Sequence, residues 1–381
     1  MKKAAVITFH ASHNYGSVLQ AYALQTLLTQ LVGNCEIINL RTERQKDLYT
    51  VFTKRKGLKY CLKNLTHALY YFALKQKYNR FNQFITEQLK TTSQIYLSLD
   101  DLQNESFNYD YYICGSDQIW NPNPVDFDWS YYLPFVKKGK KISYAPSFGP
   151  IGKIPNEEMR TRIADYLASF DSLSVRELKS QQIVQELSHK EVPIVLDPTL
   201  LLTPADWEYL LQDKKYKNEK YKNKDYILLY TLYANPQIIS LAKFFSRYFK
   251  MPIVITNFSN QYDVLTPFKK QYDVGPIEFL TVLKNAKIVL TSSFHGTVFS
   301  ILFNKPFFTF EGNKDARIHN LLSLTDLTNR SINSNNVLNQ LEHTYDIDFE
   351  RAQKLLENEK NKSLAYLRNA LEIDSLEKEV K

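Results

Sequence analysis

What the chain lacks narrows the field first. It has three cysteines, Cys35, Cys61 and Cys114, an odd and widely spaced set that supports neither a disulfide framework nor a zinc site. No apolar run approaches the roughly 18–20 residues that cross a bilayer. Walker A, HExxH, GxSxG and GxGxxG spacings are absent, so no nucleotide, zinc or nucleophile-elbow fingerprint is written in the chain. Met1-Lys2-Lys3 followed by AAVITF has too short an apolar part, and no cleavage-type site, for a secretory leader. A first buried strand and a cytoplasmic location, at most at the inner face of a membrane, are expected instead. Glycine is scarce too, ten in 381 residues against a usual ~7%. In such a chain each glycine marks a demand of the backbone. Gly16, Gly115, Gly149 and Gly296 all fall just after predicted strands, where open α/β sheets place their ligands.

What is present is a globular composition, 44% hydrophobic and 23% charged. At 381 residues the chain exceeds the ~250–300 at which one core stops growing, so two domains are expected. The net charge is +8, which favours anionic partners. Residues 51–90 hold nine Lys/Arg against one acid, Glu87, with eight Tyr/Phe interleaved, among them Tyr70, Tyr71, Phe72 and Phe81. Two readings compete: an exposed helical pair with its aromatics turned to the core, or a basic-aromatic surface in peripheral contact with anionic lipid. No helix-turn-helix, zinc finger or RNP signature accompanies the charge, and no nucleic-acid partner is expected.

Strand-like runs at 4–9, 36–40, 111–114, 172–175 and 193–196 alternate with helical stretches, and a second series follows at 226–232, 253–256, 288–290 and 307–310. The helical stretches include 17–31, 159–167, 237–248 and 276–285. Alternation with continuous buried runs means parallel sheets covered on both faces. Residues 213–225, DKKYKNEKYKNKD, read as a solvated linker. The expected domains are 1–212 (with a helical insert about 51–90) and 226–345, followed by a long charged helix over 346–381.

The most informative segment is IVLTSSFHGTVFSILF, a strand, a small polar turn with Ser293, and a helix opening near His295 and Gly296. A helix N-terminus favours anions, Gly296 would let one approach the backbone, and His295 beside it suits proton transfer. A histidine that only caps or packs the turn is the plainer alternative. Lys314 and Arg317 open a further helix after the strand PFFTF, and Arg176 ends a strand in LSVRE. Such cations suit carboxylate or phosphate recognition, or a solvated surface. Ser116 and Asp117 follow the strand YYIC; Asp117 reads as a helix cap, a sugar-orienting group or a base. Asn14 and Gly16 occupy the first strand–helix turn. Two DxD triplets, at 126–128 and 346–348, are discounted as metal sites, the second as a cap of the terminal helix.

At these residues the chain resembles the polysaccharide pyruvyl transferase family. The resemblance rests on HNYGSVLQAYALQ, ICGSDQIWN, ISYAPSFG, LSVRE, VLDPTLLL, TSSFHGTVFSILFNKPF and NKDARIHNLL, in that order. It implies an α/β, GT-B-like fold: two Rossmann-like domains with a cleft between them and a C-terminal helix crossing back. It also implies transfer of pyruvate from phosphoenolpyruvate to two hydroxyls of a sugar, in a cell-surface polysaccharide or its lipid-linked precursor, with release of phosphate. No cofactor or metal is implied. By motif, His295 would bind or protonate the donor, Arg176 would hold its carboxylate or phosphate, and Lys314 would match the family's lysine. Asp117 would orient or deprotonate the acceptor. Members often carry Arg two residues before the histidine, where this chain has Ser293, so either Arg317 is expected to make up donor affinity or the donor is expected to differ in this subgroup. The alternatives are a nucleotide-sugar glycosyltransferase of the same fold and a catalytically silent glycan-binding protein.

Overall fold

The computed structural model describes residues 2–373 apart from 54–56, 124–125, 151–153, 213–222, 233–234, 258–265, 311–314 and 334–335. The predicted linker therefore lies almost wholly outside the described residues, as does Lys314. Ten strands are described: β1 Ala4–Ile7, β2 Cys35–Ile37, β3 Tyr111–Cys114, β4 Lys140–Ser143, β5 Ile227–Tyr230, β6 Ile253–Ile255, β7 Lys269–Lys270, β8 Ile288–Thr291, β9 Phe307–Phe310 and β10 Ser331–Ile332. They form two sheets, ordered β2-β1-β3-β4 and β10-β9-β8-β5-β6-β7, with every pair parallel.

Burial explains the parallel arrangement. All four residues of β1, β3, β5, β8 and β9 are buried, as in strands covered on both faces. In each sheet the strand order reverses once at the centre. The chain goes from β1 to β2 on one side, then returns to place β3 on the other side of β1. Likewise β6 and β7 lie to one side of β5, and β8 to the other. Such reversals open a crevice beyond the carboxyl ends of the central strands.

The chain divides into two compact units. Unit 1 comprises Met1–Leu48, Ile85–Leu202 and Glu357–Lys381; unit 2 comprises Tyr49–Phe84 and Thr203–Leu356. This corrects two expected boundaries. The helical insert belongs to unit 2, where Arg80 of the helix Tyr71–Gln88 donates to the Asp273 carbonyl at 2.6 Å and pairs with Glu278 at 3.1 Å. The helix Pro204–Leu211 also belongs to unit 2, because Trp207 packs edge-on against Phe299 at 5.0 Å. The composition change at 213 comes one helix too late to mark the boundary.

Unit 1 is centred on Trp120, fully buried and stacked on Tyr132 at 5.2 Å. Burying a side chain of this size contributes on the order of 2–3 kcal/mol. The helix Phe349–Ala370 starts in unit 2, where Asp348 accepts from the Arg351 amide at 2.9 Å, and ends in unit 1. There the Tyr366 hydroxyl donates to the Ser143 carbonyl and the Leu196 amide donates to Ser363 Oγ. Asp128 likewise accepts from the Ser130 amide at the start of a short helix, so the second aspartate of each DxD triplet is a cap. Among the described residues, no helix is long and apolar enough to cross a membrane.

Candidate active site

In unit 1 the crevice lies where β1 and β3 end. Gly115 takes φ +119°, and an added Cβ would stand 2.0 Å from the Tyr144 carbonyl oxygen, so only glycine lets the chain leave β3 this way. Asp117, two residues on, adopts φ 74°, a left-handed backbone unusual for a residue with a side chain. Its surroundings hold it there. Ser17 Oγ donates to Oδ2 at 2.6 Å, the Gln118 amide donates to Oδ1 at 2.8 Å, and the Ser147 amide donates to its carbonyl at 2.9 Å. Strain of this kind persists only where neighbours over-determine it, and it gathers at functional sites. The helix expected after Asp117 does not form; residues 118–120 make a turn, so Asp117 caps no helix.

Arg176 lies in the same cluster. Its side chain is 3% exposed and meets three carboxylates: Nη1 donates to Asp197 Oδ2 at 2.7 Å, Nη2 lies 3.8 Å from Asp117 Oδ1, and Nε lies 3.7 Å from Glu177 Oε2. Burial alone would lower its pKa, but the Asp197, Asp117 and Glu177 charges outweigh burial and raise it. Asp197, itself buried, is fixed through Oδ1 by the amide and hydroxyl of Thr199. Arg176 thus neutralises an internal acidic cluster. Ser116 sits in the same cluster, its hydroxyl 3.3 Å from Asp197 Oδ2. It is fully buried, its amide donates to Gln20 Oε1, its carbonyl accepts from Thr8 Oγ1 and its hydroxyl donates to the Ala145 carbonyl. Asn14 caps the helix Tyr15–Val32 by accepting from the Gly16 amide at 2.9 Å, so both residues serve that helix start.

His10, just beyond β1, is fully buried between the Thr8 carbonyl and Asn39 Oδ1. Burial, helped by the Arg41 charge, lowers its pKa to about 4 against the pull of both hydrogen bonds, so the ring is neutral at pH 7.

In unit 2 the corresponding crevice lies beyond β5 and β8. Ser293 is the N-cap of the helix Phe294–Leu302, its hydroxyl accepting from the Gly296 amide at 3.4 Å. His295 is the second residue of that helix and is 6% exposed. Thr291 Oγ1 fastens the turn, donating to the Tyr230 carbonyl at 2.7 Å and accepting from the Ser293 amide at 3.0 Å. Gly296 has a packing reason of its own. An added Cβ would meet Thr291 Oγ1 at 2.3 Å and Tyr230 Cδ1 at 3.0 Å, so its missing side chain lets the helix close on the sheet. Arg317 lies over the Phe294 ring at 5.8 Å, and its fork is held by Asp315 through bonds of 3.0 and 2.7 Å.

Each unit therefore carries a cluster at its strand-order reversal: Asp117, Ser17, Arg176 and Asp197 in one, Ser293, His295 and Arg317 in the other. Sequence reasoning missed Ser17, Glu177 and Asp197 as members. The last two sit inside the LSVRE and VLDPTLLL segments, so the segments carried a signal that the single residues did not.

Comparison with known proteins agrees with this architecture. The chain resembles the UDP-N-acetylglucosamine 2-epimerase of Methanocaldococcus jannaschii, solved with UDP-GlcNAc and UDP, at 12% identity and TM-score 0.52, covering 94% of this chain and 99% of that one. A putative UDP-N-acetylglucosamine 2-epimerase from Listeria monocytogenes gives 12% identity and TM-score 0.55, covering 98% and 97%. At such identity the likeness concerns the fold, which is GT-B-like with two Rossmann-type units. No curated protein sequence matches the chain. The polysaccharide pyruvyl transferase family model matches residues 14–313, a span that holds both clusters apart from Arg317, and the chain belongs to that family of transferases.

Proposed function

We propose that the protein transfers the enolpyruvyl carbons of phosphoenolpyruvate to two hydroxyls of one sugar, in a cell-surface polysaccharide or its lipid-linked precursor. The product is a cyclic pyruvate ketal and the leaving group is inorganic phosphate. C2 of the donor gains two bonds to sugar oxygens and loses its bond to the phosphate oxygen and its π bond to C3. The two hydroxyl protons end on C3, which becomes a methyl group, and on the departing phosphate.

The observation that carries this reading is His295 in the first turn of the helix that follows β8, at the reversal of strand order. The positive end of that helix favours a highly anionic donor, and an imidazolium there supplies the proton that C3 must gain. Protonation leaves an oxocarbenium-like C2 open to a hydroxyl. Asp117, locked in its left-handed backbone with Ser17 on one carboxylate oxygen, orients the acceptor hydroxyl and takes its proton. Arg176 acts through Asp117 and Asp197 rather than on the donor, which makes it a positioning residue. Arg317 and Lys314 remain the proposed donor-binding cations.

The test is phosphate release from phosphoenolpyruvate over a panel of hexoside acceptors. His295→Ala and Asp117→Asn should each lower it by about 10²–10⁴-fold while unfolding stays cooperative. Phosphoenolpyruvate should raise the melting temperature, as any native-state ligand does. Stabilisation by UDP-GlcNAc instead would favour the nucleotide-sugar reading, and full activity in both variants would discard the site.

A further inference from the structure

The helix Leu58–Leu69 of unit 2 is turned inside out. Its leucines at 58, 62, 65 and 69 recur at spacings of four, three and four, which puts them on one narrow face. In an ordinary surface helix that stripe faces the core. Here it faces out, at 78%, 50%, 64% and 69% exposure. The polar side is the one turned inward. Asn64 exchanges two hydrogen bonds of 3.0 Å with the backbone of Thr53, and buried His67 bonds through Nδ1 to the Val51 carbonyl. The apolar surface continues past the helix. Phe72 is 87% exposed and touches Tyr71, which stacks on Phe52 at 5.7 Å. Soluble monomers rarely leave so continuous an apolar surface to water.

The charge around it has one sign. Residues 51–80 contain eight Lys/Arg and no acid. Lys63, next to Leu62 in the chain, and Lys75, three residues after Phe72, are exposed. The segment is fastened at its far end, where Arg80 is held by Asp273 and Glu278, Lys77 donates to Asn257 Oδ1 at 3.0 Å, and Tyr70 packs on Tyr272 at 5.0 Å.

We infer that this face docks on an anionic lipid surface, the leucines and Phe72 entering the headgroup–acyl boundary and the lysines meeting the phosphates. Leucine and aromatic residues on one face with cations at its margin are what an interfacial helix requires. A second copy of the chain is disfavoured by the same charge, since a two-fold contact would set Lys63 and Lys75 of one copy against those of the other. The inference does not depend on the pyruvyl transfer reading, and its failure would leave that reading standing.

The experiment is co-sedimentation of the full chain with phosphatidylcholine vesicles, alone or mixed with phosphatidylglycerol, alongside light scattering for molecular mass. The protein should pellet with the anionic vesicles, with affinity at least about tenfold lower on neutral ones or at high salt. Leu62→Glu combined with Leu65→Glu should stay in the supernatant while keeping the wild-type circular dichroism spectrum. Lys63→Glu with Lys75→Glu should weaken binding to the anionic vesicles only. Wild-type protein that stays in the supernatant with anionic vesicles overturns the inference. So does a leucine variant that pellets like the wild type, or a dimer that the leucine variant dissociates.

Discussion

The two strand-order reversals of this molecule are built differently. The cluster in unit 1 is crowded with ionic groups that answer one another: Arg176 against Asp197, Asp117 and Glu177, with Ser17 and Thr199 closing the remaining oxygens. The cluster in unit 2 relies on hydroxyls and on the absence of a Cβ, with Thr291 and Ser293 setting a turn that carries one imidazole. The histidines differ in the same sense. His10 is sealed and neutral, whereas His295 opens a helix. A lattice of buried charge holds a geometry stiffly but fails badly when one member is removed. A hydroxyl-capped turn loses little per group, so unit 1 should show large stability effects and unit 2 small ones.

The largest expected effect is that of Arg176→Met. Removing the guanidinium leaves three buried carboxylates without their cation, and breaking a buried pair in this way costs about 3–5 kcal/mol. Urea unfolding should show that loss, and Asp197→Asn in the same chain should recover part of it. A loss below about 1 kcal/mol would mean that water already reaches the cluster, and the contrast between the units would dissolve.

His10 sharpens the same contrast through pH. Its pKa is about 4 in the folded chain and near 6.5 unfolded, so the unfolded state binds the extra proton between those values. Its contribution is therefore present in full above pH ~6.5 and lost as pH falls towards 4, on the order of 3 kcal/mol in all. Denaturant unfolding across that window should show stability falling with pH, and His10→Gln should flatten the slope. An unchanged slope would place the titration elsewhere.

Gly296→Ala tests how tightly the unit 2 turn is closed. The new methyl meets Thr291 Oγ1 at 2.3 Å, and that oxygen cannot swing away without giving up its bonds to Tyr230 and Ser293. Overpacking of this kind costs about 1–3 kcal/mol, and the melting temperature should fall accordingly. A neutral result would show that the helix slides freely on the sheet.

Much of this frame is legible in the chain. The runs at 111–114 and 307–310 coincide with β3 and β9, because continuous apolar stretches between turn residues have few other uses in a parallel sheet. β4, KKIS, escapes the pattern because two lysines open it, and β7 and β10 are too short to show periodicity. The runs at 172–175 and 193–196 are reduced to single bridges, Ile142 to Ser172 and Val175 to Ile194. The places of Asp117 and His295 just after strands are legible in the same way. Asp197 is hidden because its role comes from Arg176, 21 residues away, and no local spacing records that pairing. The outward leucine stripe is hidden for the opposite reason: its spacing is that of a core face, and only Asn64 and His67 bonding inward to the 51–53 backbone turn it around.

The smallest expected effect belongs to Ser293, which stands where the family resemblance leads one to expect arginine. Its cap bond to the Gly296 amide is long at 3.4 Å, so Ser293→Ala should cost about 0.5–1 kcal/mol, the low end for an N-cap. An arginine there has no side-chain oxygen to accept that amide, so Ser293→Arg should lose as much stability as the alanine variant. The two should part in donor binding, where an added guanidinium near the helix start attracts an anion and an added methyl does not. Equal stability loss with tighter phosphoenolpyruvate binding in the arginine variant alone would support the proposed donor and show that this chain holds its helix start with a hydroxyl. No stability loss in either variant would mean that the cap is idle and that Thr291 alone fixes the turn.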